Sequence, residues 1–297
     1  MTNFKAKFSS FLPARSYSVH KYNRGRVAIV AGSEDYPGAA ILAARGAARA
    51  GAGYVNLFVP EPIVKLCQAA LPSIVVRPLC EETYPEIAKA KCMVAGPGLG
   101  SAEKQVEILE ELLTLDLPTV IDADLIKNMT GLFKKGYCTG RTSPIILTPH
   151  RGELKDLLKN EADLNACSGE EIAKLCQAWI DENRAEITTI VAKGASTYIV
   201  GTGDFLDPTC GTDTLATAGS GDVLAGTIGG ILAQTGMQKV KKMDRPNFVA
   251  SVCASCVEIH ALAGMLAAEK FGHRGVMATD LANFIGIATD ELYSATK

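Results

Sequence analysis

A chain of 297 residues, 47% hydrophobic and 21% charged, carries enough apolar material for a large buried core. Its net charge of −2 excludes a function built on non-specific attraction to nucleic acid or to a membrane surface. No run reaches the roughly 18 uncharged apolar residues of a membrane span, and nine scattered cysteines, odd in number, fit free thiols of a reducing, cytoplasmic compartment.

The first 33 residues hold six Lys/Arg and no acid, a composition shared by transit peptides and ordinary N-terminal arms. RVAIVAG (26–32) has the β-branched content of a strand, and GAAILAARGAARAGAG (38–53) the spacing of a helix lying close on a sheet. YVNLFVP (54–60) predicts a strand buried on both faces, and IVKLCQAAL (63–71) a helix. CMVAGPGLG (92–100) reads as a strand entering a glycine loop. SAEKQVEILEELLTL (101–115) follows as a helix that Ser101 can cap. PTVIDADLI (118–126) is a strand ending on Asp122 and Asp124, and PIILTPH (144–150) another, before short helix 151–159 and helix 170–183. ITTIVAKGASTYIVG (187–201) predicts two strands about a KGAS turn. Glycine-rich buried helix 221–236, long helix 248–272 and a last helix capped by Thr279 or Asp280 complete the chain.

Strands alternating with helices predict an α/β fold: a mostly parallel sheet with helices on both faces, in one domain. In such sheets ligands bind beyond the carboxyl ends of the strands. Gly32, Gly96 to Gly100, Asp122, His150 and Lys193 all fall at strand ends, so the site is expected along one edge.

ATAGSGDVLAG (216–226) carries the strongest chemistry. A glycine turn opening a helix presents backbone N–H groups and a positive dipole end, which bind phosphate. A carboxylate there is not needed for phosphate binding. Asp222 is therefore either an N-cap or a base aimed at a hydroxyl beside a transferring phosphoryl group. No P-loop spacing is present. Ala218 breaks a nucleophile elbow, and GPGLG lacks the dinucleotide-binding spacing. GPGLG (96–100) offers close approach to a ligand or a tight turn. DAD (122–124) could reach a hydrated Mg²⁺ or cap a helix. In TPHRGE (148–153), His150 could hydrogen-bond a ligand while Glu153 closes a capping box or holds the loop. KGAST (193–197) supplies a cation and small residues for a nucleotide, or is a β-turn. His260 reads as a core histidine and His273 has no assigned role. Cys253 and Cys256 read as one face of a buried helix rather than a metal site.

Taken together and in this order, HKYNRGRVAIVAGSEDYPGAAILAARGAARAGAGYV, VAGPGLG, VIDAD, LTPHRGE, KGAST and LATAGSGDVLAG resemble the ADP/ATP-dependent NAD(P)H-hydrate dehydratase family, from about Leu12 to Asn283. The resemblance implies a ribokinase-like three-layer α/β/α sandwich, here a single domain over 1–297 with an N-terminal arm over 1–24 that includes LPAR and His20-Lys21. It implies repair of hydrated nicotinamide cofactors, the S-epimers of NADHX and NADPHX. ADP or ATP phosphorylates the ring hydroxyl, and phosphate then leaves. By position it implies Asp222 as base, also touching substrate, and Gly219, Ser220 and Gly221 around the transferring phosphate. Lys193, Gly194, Ala195, Ser196 and Thr197 fall on the nucleotide. Ala39 or Ala40, Gly98 or Gly100, and His150 fall on the hydrate. Mg²⁺ is implied as a bridge between phosphates, with no protein ligand assigned. A homotetramer is implied, as is functional pairing with a separate NAD(P)H-hydrate epimerase.

Departures from the family pattern are Thr212 for a common asparagine, Asp213-Thr214 for Pro-Gly, Ala218 for glycine, Arg151 for proline and Lys127 for asparagine. The GSGD form is closer to bacterial members, which tend to use ADP. Two other readings stay open at this point: a ribokinase-like kinase whose product keeps the phosphate, and a non-catalytic nucleotide-binding protein.

Overall fold

The computed structural model describes residues 12, 24–100, 103–160, 163–185, 187–201, 204–207, 212–236, 240 and 244–294. Most of the arm, including His20-Lys21, lies outside the described residues, as do Ser101 and Cys210. The elements run β1 (Arg26–Val30), α1 (Pro37–Arg49), β2 (Tyr54–Val59), α2 (Val64–Ala70), β3 (Val75–Pro78), α3 (Tyr84–Ile87), β4 (Cys92–Ala95), α4 (Glu103–Leu113), β5 (Thr119–Ile121) and α5 (Met129–Lys134). They continue with β6 (Ile145–Leu147), α6 (Arg151–Leu158), α7 (Gly169–Glu182), β7 (Thr188–Ala192), β8 (Tyr198–Gly201), β9 (Asp204–Leu206), α8 (Ser220–Leu232), α9 (Arg245–Phe271) and α10 (Ala278–Ser294).

The strands form one sheet of nine in the order β3-β2-β1-β4-β5-β6-β7-β8-β9. The first seven are parallel, and β8 and β9 add antiparallel strands at one edge. Side chains of one strand alternate between faces, so each strand feeds two cores. On β1, Val27 and Ile29 join the core beneath α1, α2, α8, α9 and α10. Ala28 and Val30 join the core beneath α3 to α7. This is the three-layer α/β/α arrangement.

Helix α8 sits against both the sheet and α1. A Cβ on Gly226 would strike the Ala43 carbonyl, and one on Gly229 the Val94 side chain. The glycines lower helix propensity, and the burial of Val223, Ile228, Ile231 and Leu232 offsets that at about 1.5–3 kcal/mol per side chain. Helix α9 is long and apolar enough to cross a membrane by length and composition, contrary to the sequence reading, but 83% of its apolar window is buried inside the protein. Cys253 and Cys256 lie in that buried helix as free thiols.

Four short elements escaped the sequence reading: β3, α3, α5 and β9. Helix α8 ends at Leu232, short of the predicted 236. Thr279 and Asp280 lie inside the first turn of α10 rather than capping it, and the Asp280 carboxylate accepts the Met277 N–H at 3.0 Å.

Candidate active site

β1, β4, β5, β6 and β7 are neighbours and parallel, so their carboxyl ends share an edge. That edge gathers Gly32, the 96–100 loop, Asp122, His150 and Lys193, as the sequence predicts. The loops are tied together: the Gly32 N–H donates to the Pro97 carbonyl at 2.8 Å, and the Lys193 N–H to the Pro149 carbonyl at 2.8 Å.

Asp122 is 2% exposed. Its Oδ1 accepts from Lys193 Nζ at 2.8 Å and from Thr148 Oγ1 at 2.6 Å. It occupies an N-cap position, but its side chain makes no cap hydrogen bond. Asp124, its partner in DAD, is exposed. Burial alone would lower the pKa of Lys193. The carboxylates of Asp122, Glu153 and Asp222 outweigh it and raise that pKa, so the ammonium is held charged.

Lys193 Nζ stands at the mouth of α8: a Cβ on Gly221 would lie 3.1 Å from it. Gly219 occupies the N-cap with φ +89°, a left-handed backbone that favours glycine. Asp222 is therefore not the N-cap. It is the third residue of the helix; the Ser220 N–H donates to the Thr217 carbonyl at 3.2 Å, while the Gly221 and Asp222 N–H groups fall in the first turn, where no intrahelical carbonyl accepts them. Burial raises the Asp222 carboxyl to about 7, with the Asp122 charge adding, Lys193 opposing and Glu153 adding again. A carboxylate poised near neutral pH suits a general base.

His150 caps α6. Its Nδ1 accepts the Gly152 and Glu153 N–H groups at 3.0 and 3.2 Å, and Glu153 Oε2 accepts the His150 N–H at 2.8 Å. The capping box is thus opened by His150 itself. With Nδ1 accepting, the proton sits on Nε2, on a side chain 62% exposed. Burial raises the pKa of Glu153.

Two surfaces flank Gly219 to Asp222. On one side is a cleft of about 1030 Å³, lined by His150, Arg151, residues 193–197, Thr212, Asp213, Ser220 and Gly221 among others. That volume suits a nucleotide-sized ligand. On the other side a Cβ on Gly219 would meet Leu42 and Ala278, with Asp222 Oδ2 at 3.7 Å. Leu42 lies one helical turn from Ala39 on the same face of α1. A Cβ on Gly98, whose φ is +63°, would lie 2.7 Å from the Ala39 Cβ. Gly219, with Asp222 beside it, thus meets α1 at Leu42, and Gly98 meets it at Ala39; Ala39, Gly98 and Asp222 are each partly exposed. Ala40 is fully buried against Gly32, which leaves Ala39 as the one of the pair open to a ligand. Gly100 stands in open space.

His260 is 5% exposed, a core histidine as predicted, and also lines the cleft. Burial drops its pKa to about 4, and its Nε2–H donates to the Ser220 carbonyl at 2.9 Å. It holds the first turn of α8, a role the sequence did not suggest. His273 pairs with Asp213 at 3.1 Å on the cleft rim. The sequence also gave no sign that Lys193 pairs with Asp122, 71 residues away, or that Arg151 lines the cleft.

The family model for NAD(P)H-hydrate dehydratase matches residues 27–286. The ADP-dependent (S)-NAD(P)H-hydrate dehydratase of Bacillus subtilis is 34% identical over 233 residues, 74% of this chain and 77% of that protein. The bifunctional NAD(P)H-hydrate repair enzyme of a Synechocystis species is 33% identical over 92% of this chain but only 50% of its own length. The chain spans about half the length of such bifunctional relatives. Among solved structures, the Bacillus subtilis ADP/ATP-dependent NAD(P)H-hydrate dehydratase co-crystallized with ATP/Mg²⁺ superposes with a TM-score of 0.78, at 26% identity and 96% coverage of each chain. A hydroxyethylthiazole kinase from Pyrococcus horikoshii shares the fold at TM-score 0.59 and 17% identity. The fold, the order of the motifs and these matches agree: the chain belongs to the NAD(P)H-hydrate dehydratase family.

Proposed function

We propose that this chain dehydrates the S-epimer of NADH or NADPH hydrate in a reaction driven by ADP or ATP. The observation that carries the proposal is the placement of Asp222. It stands at the phosphate-binding turn of α8, with Lys193 and a nucleotide-sized cleft on one side and the Ala39–Gly98 surface on the other.

The nucleotide occupies the cleft along residues 193–197, and its terminal phosphoryl group rests on the N–H groups of Gly219, Gly221 and Asp222 with Lys193 beside it. The hydrate lies against Ala39 and Gly98, with His150 beside it, its Nε2 3.4 Å from Glu153 Oε1. Asp222 accepts the proton of the ring hydroxyl as its oxygen takes the phosphoryl group from the nucleotide. The carbon–oxygen bond then breaks, pushed by the ring nitrogen's lone pair. Phosphate departs with the bonding electrons, and loss of a proton from the neighbouring carbon restores the double bond. Phosphate replaces hydroxide as the leaving group, and the protein supplies position and charge.

Among the described residues no three carboxylate, thiol or imidazole groups could hold a metal ion. Mg²⁺ would be carried by the phosphate oxygens, with no protein ligand assigned to it. When bound, Mg²⁺ neutralises phosphate charge and makes the terminal phosphorus more electrophilic. The bifunctional relatives support pairing with an NAD(P)H-hydrate epimerase, and a homotetramer remains part of the proposal.

The test is absorbance of the reduced nicotinamide after adding the protein to NADH hydrate and Mg²⁺, with ADP, with ATP and with no nucleotide. Nucleotide-dependent recovery is expected. Consumption of nucleotide with phosphate retained on the product would replace this reading with the kinase reading. Binding of nucleotide without turnover would leave the non-catalytic one.

A further inference from the structure

Arg151 is the first residue of α6, next to His150, and it lines the nucleotide cleft. Its guanidinium lies over the Tyr198 ring, 5.5 Å from the centroid. Nη2 donates to the Ser196 carbonyl at 3.2 Å. The guanidinium is pressed so close to the turn after β7 that a Cβ on Gly194 would fall 2.9 Å from both Nε and Nη2. Nη1 is buried and has no hydrogen-bond partner.

Among the described residues, the electrostatic neighbours of Arg151 are Tyr198, Cys176 and Cys167, with no carboxylate. A half-buried cation without a counter-ion is costly to hold. One ring face and one carbonyl leave most of its five donors unused. Lys193, the other Lys or Arg on the cleft wall among the described residues, is committed to Asp122 and surrounded by Glu153 and Asp222. Around Lys193, three carboxylates therefore stand against one ammonium. A nucleotide bringing further negative charge needs a cation whose charge is not already spent. Arg151 has it, on the same 193–197 turn, and its planar donors match a phosphate group.

We propose that Arg151 is a nucleotide-binding residue whose guanidinium engages the phosphate that stays on the nucleoside after transfer. The inference rests on the nucleotide half of the function proposed above. It assigns to Arg151 a part in telling nucleotides from nucleosides, and with it much of the affinity for the spent nucleotide.

The experiment is calorimetric titration of the full chain with AMP, adenosine and ADP, for wild type, Arg151→Ala, Arg151→Lys and Arg151→Gln. Wild type should bind AMP more tightly than adenosine. Arg151→Ala should weaken AMP by about 10–100-fold, the weight of a charge-assisted hydrogen bond, and leave adenosine within about threefold. Arg151→Lys should keep part of the preference. Arg151→Gln, which keeps bulk and planarity without charge, should lose it. Equal weakening of AMP and adenosine would overturn the proposal, because Arg151 would then only brace the turn. Unchanged AMP binding in all three variants would overturn it too and leave the dehydratase reading standing. A wild-type chain that binds none of the three compounds would overturn both.

Discussion

Asp222→Asn should make the protein inactive and more stable at once. The carboxyl is raised from 3.8 to about 7 chiefly by burial, so its ionised form is disfavoured in the folded state. Three units at about 1.4 kcal/mol each give roughly 4 kcal/mol, and the solvent that reaches a half-buried carboxylate reduces this to about 2–4 kcal/mol. The sign follows from proton counts. Between the unfolded value near 4 and the folded value near 7, the native state holds a proton that the unfolded chain has lost, so wild type loses stability as pH rises through that window. Asparagine cannot ionise, so the stability gap should be near zero at pH 4, widen to pH 7 and then stay level. At pH 8 the melting temperature should rise by about 3–6 °C. Turnover should fall by about 10²–10⁴-fold, the usual contribution of a general base. Wild-type kcat/KM should rise with pH through about 7 as the base ionises. Urea denaturation at several pH values, beside the nicotinamide absorbance assay, reads both effects. A variant with wild-type stability at pH 8 would refute the desolvation argument, and one with near-normal turnover would remove Asp222 from the chemistry.

Lys193→Met strands the 2%-exposed Asp122 with Thr148 alone. Unfolding free energy should drop by about 3–5 kcal/mol, with part recovered by adding Asp122→Asn; a loss under 1 kcal/mol by urea titration would contradict a buried ion pair. Gly98→Ala places a methyl group against Ala39 on a left-handed backbone. It should cost about 1–3 kcal/mol and raise KM for the hydrate more than KM for the nucleotide, and the reverse order would put Gly98 on the nucleotide side. Glu153→Gln removes a negative charge that raises Asp222. The acid limb of the pH–rate profile should therefore move below pH 7, while an unmoved limb would show that Glu153 does not act on Asp222.

The sequence displays what local pattern can encode. Parallel strands need crossover helices, so strand–helix alternation led directly to the sheet, and residues just past each strand led to its carboxyl edge. Elements too short for periodicity were not legible: β3, α3 and β9 have three or four residues each. Asp222 was left between cap and base for a related reason. Its acidity near a helix start suits both, and only the left-handed Gly219 in the cap position separates them.

What the sequence could not show was who holds whom across the edge. Asp122 ends β5 and Lys193 follows β7, with β6 and its Thr148 between them. Nothing in either neighbourhood specifies that pairing; it exists because β6 sits between the two strands. The same holds for Arg151. As one position in TPHRGE it is only a departure from a common proline. Its Tyr198, Gly194 and Ser196 contacts arise because the chain after β6 and the chain after β7 leave the sheet side by side. The chemistry of this site resides in residues that are distant in sequence and adjacent at one sheet edge. The order of the strands therefore decides which charges are neutralised before a ligand arrives. Lys193 is neutralised by Asp122. Arg151 faces no carboxylate among the described residues, and a cation on the cleft wall whose charge is not paired is what an incoming phosphate requires.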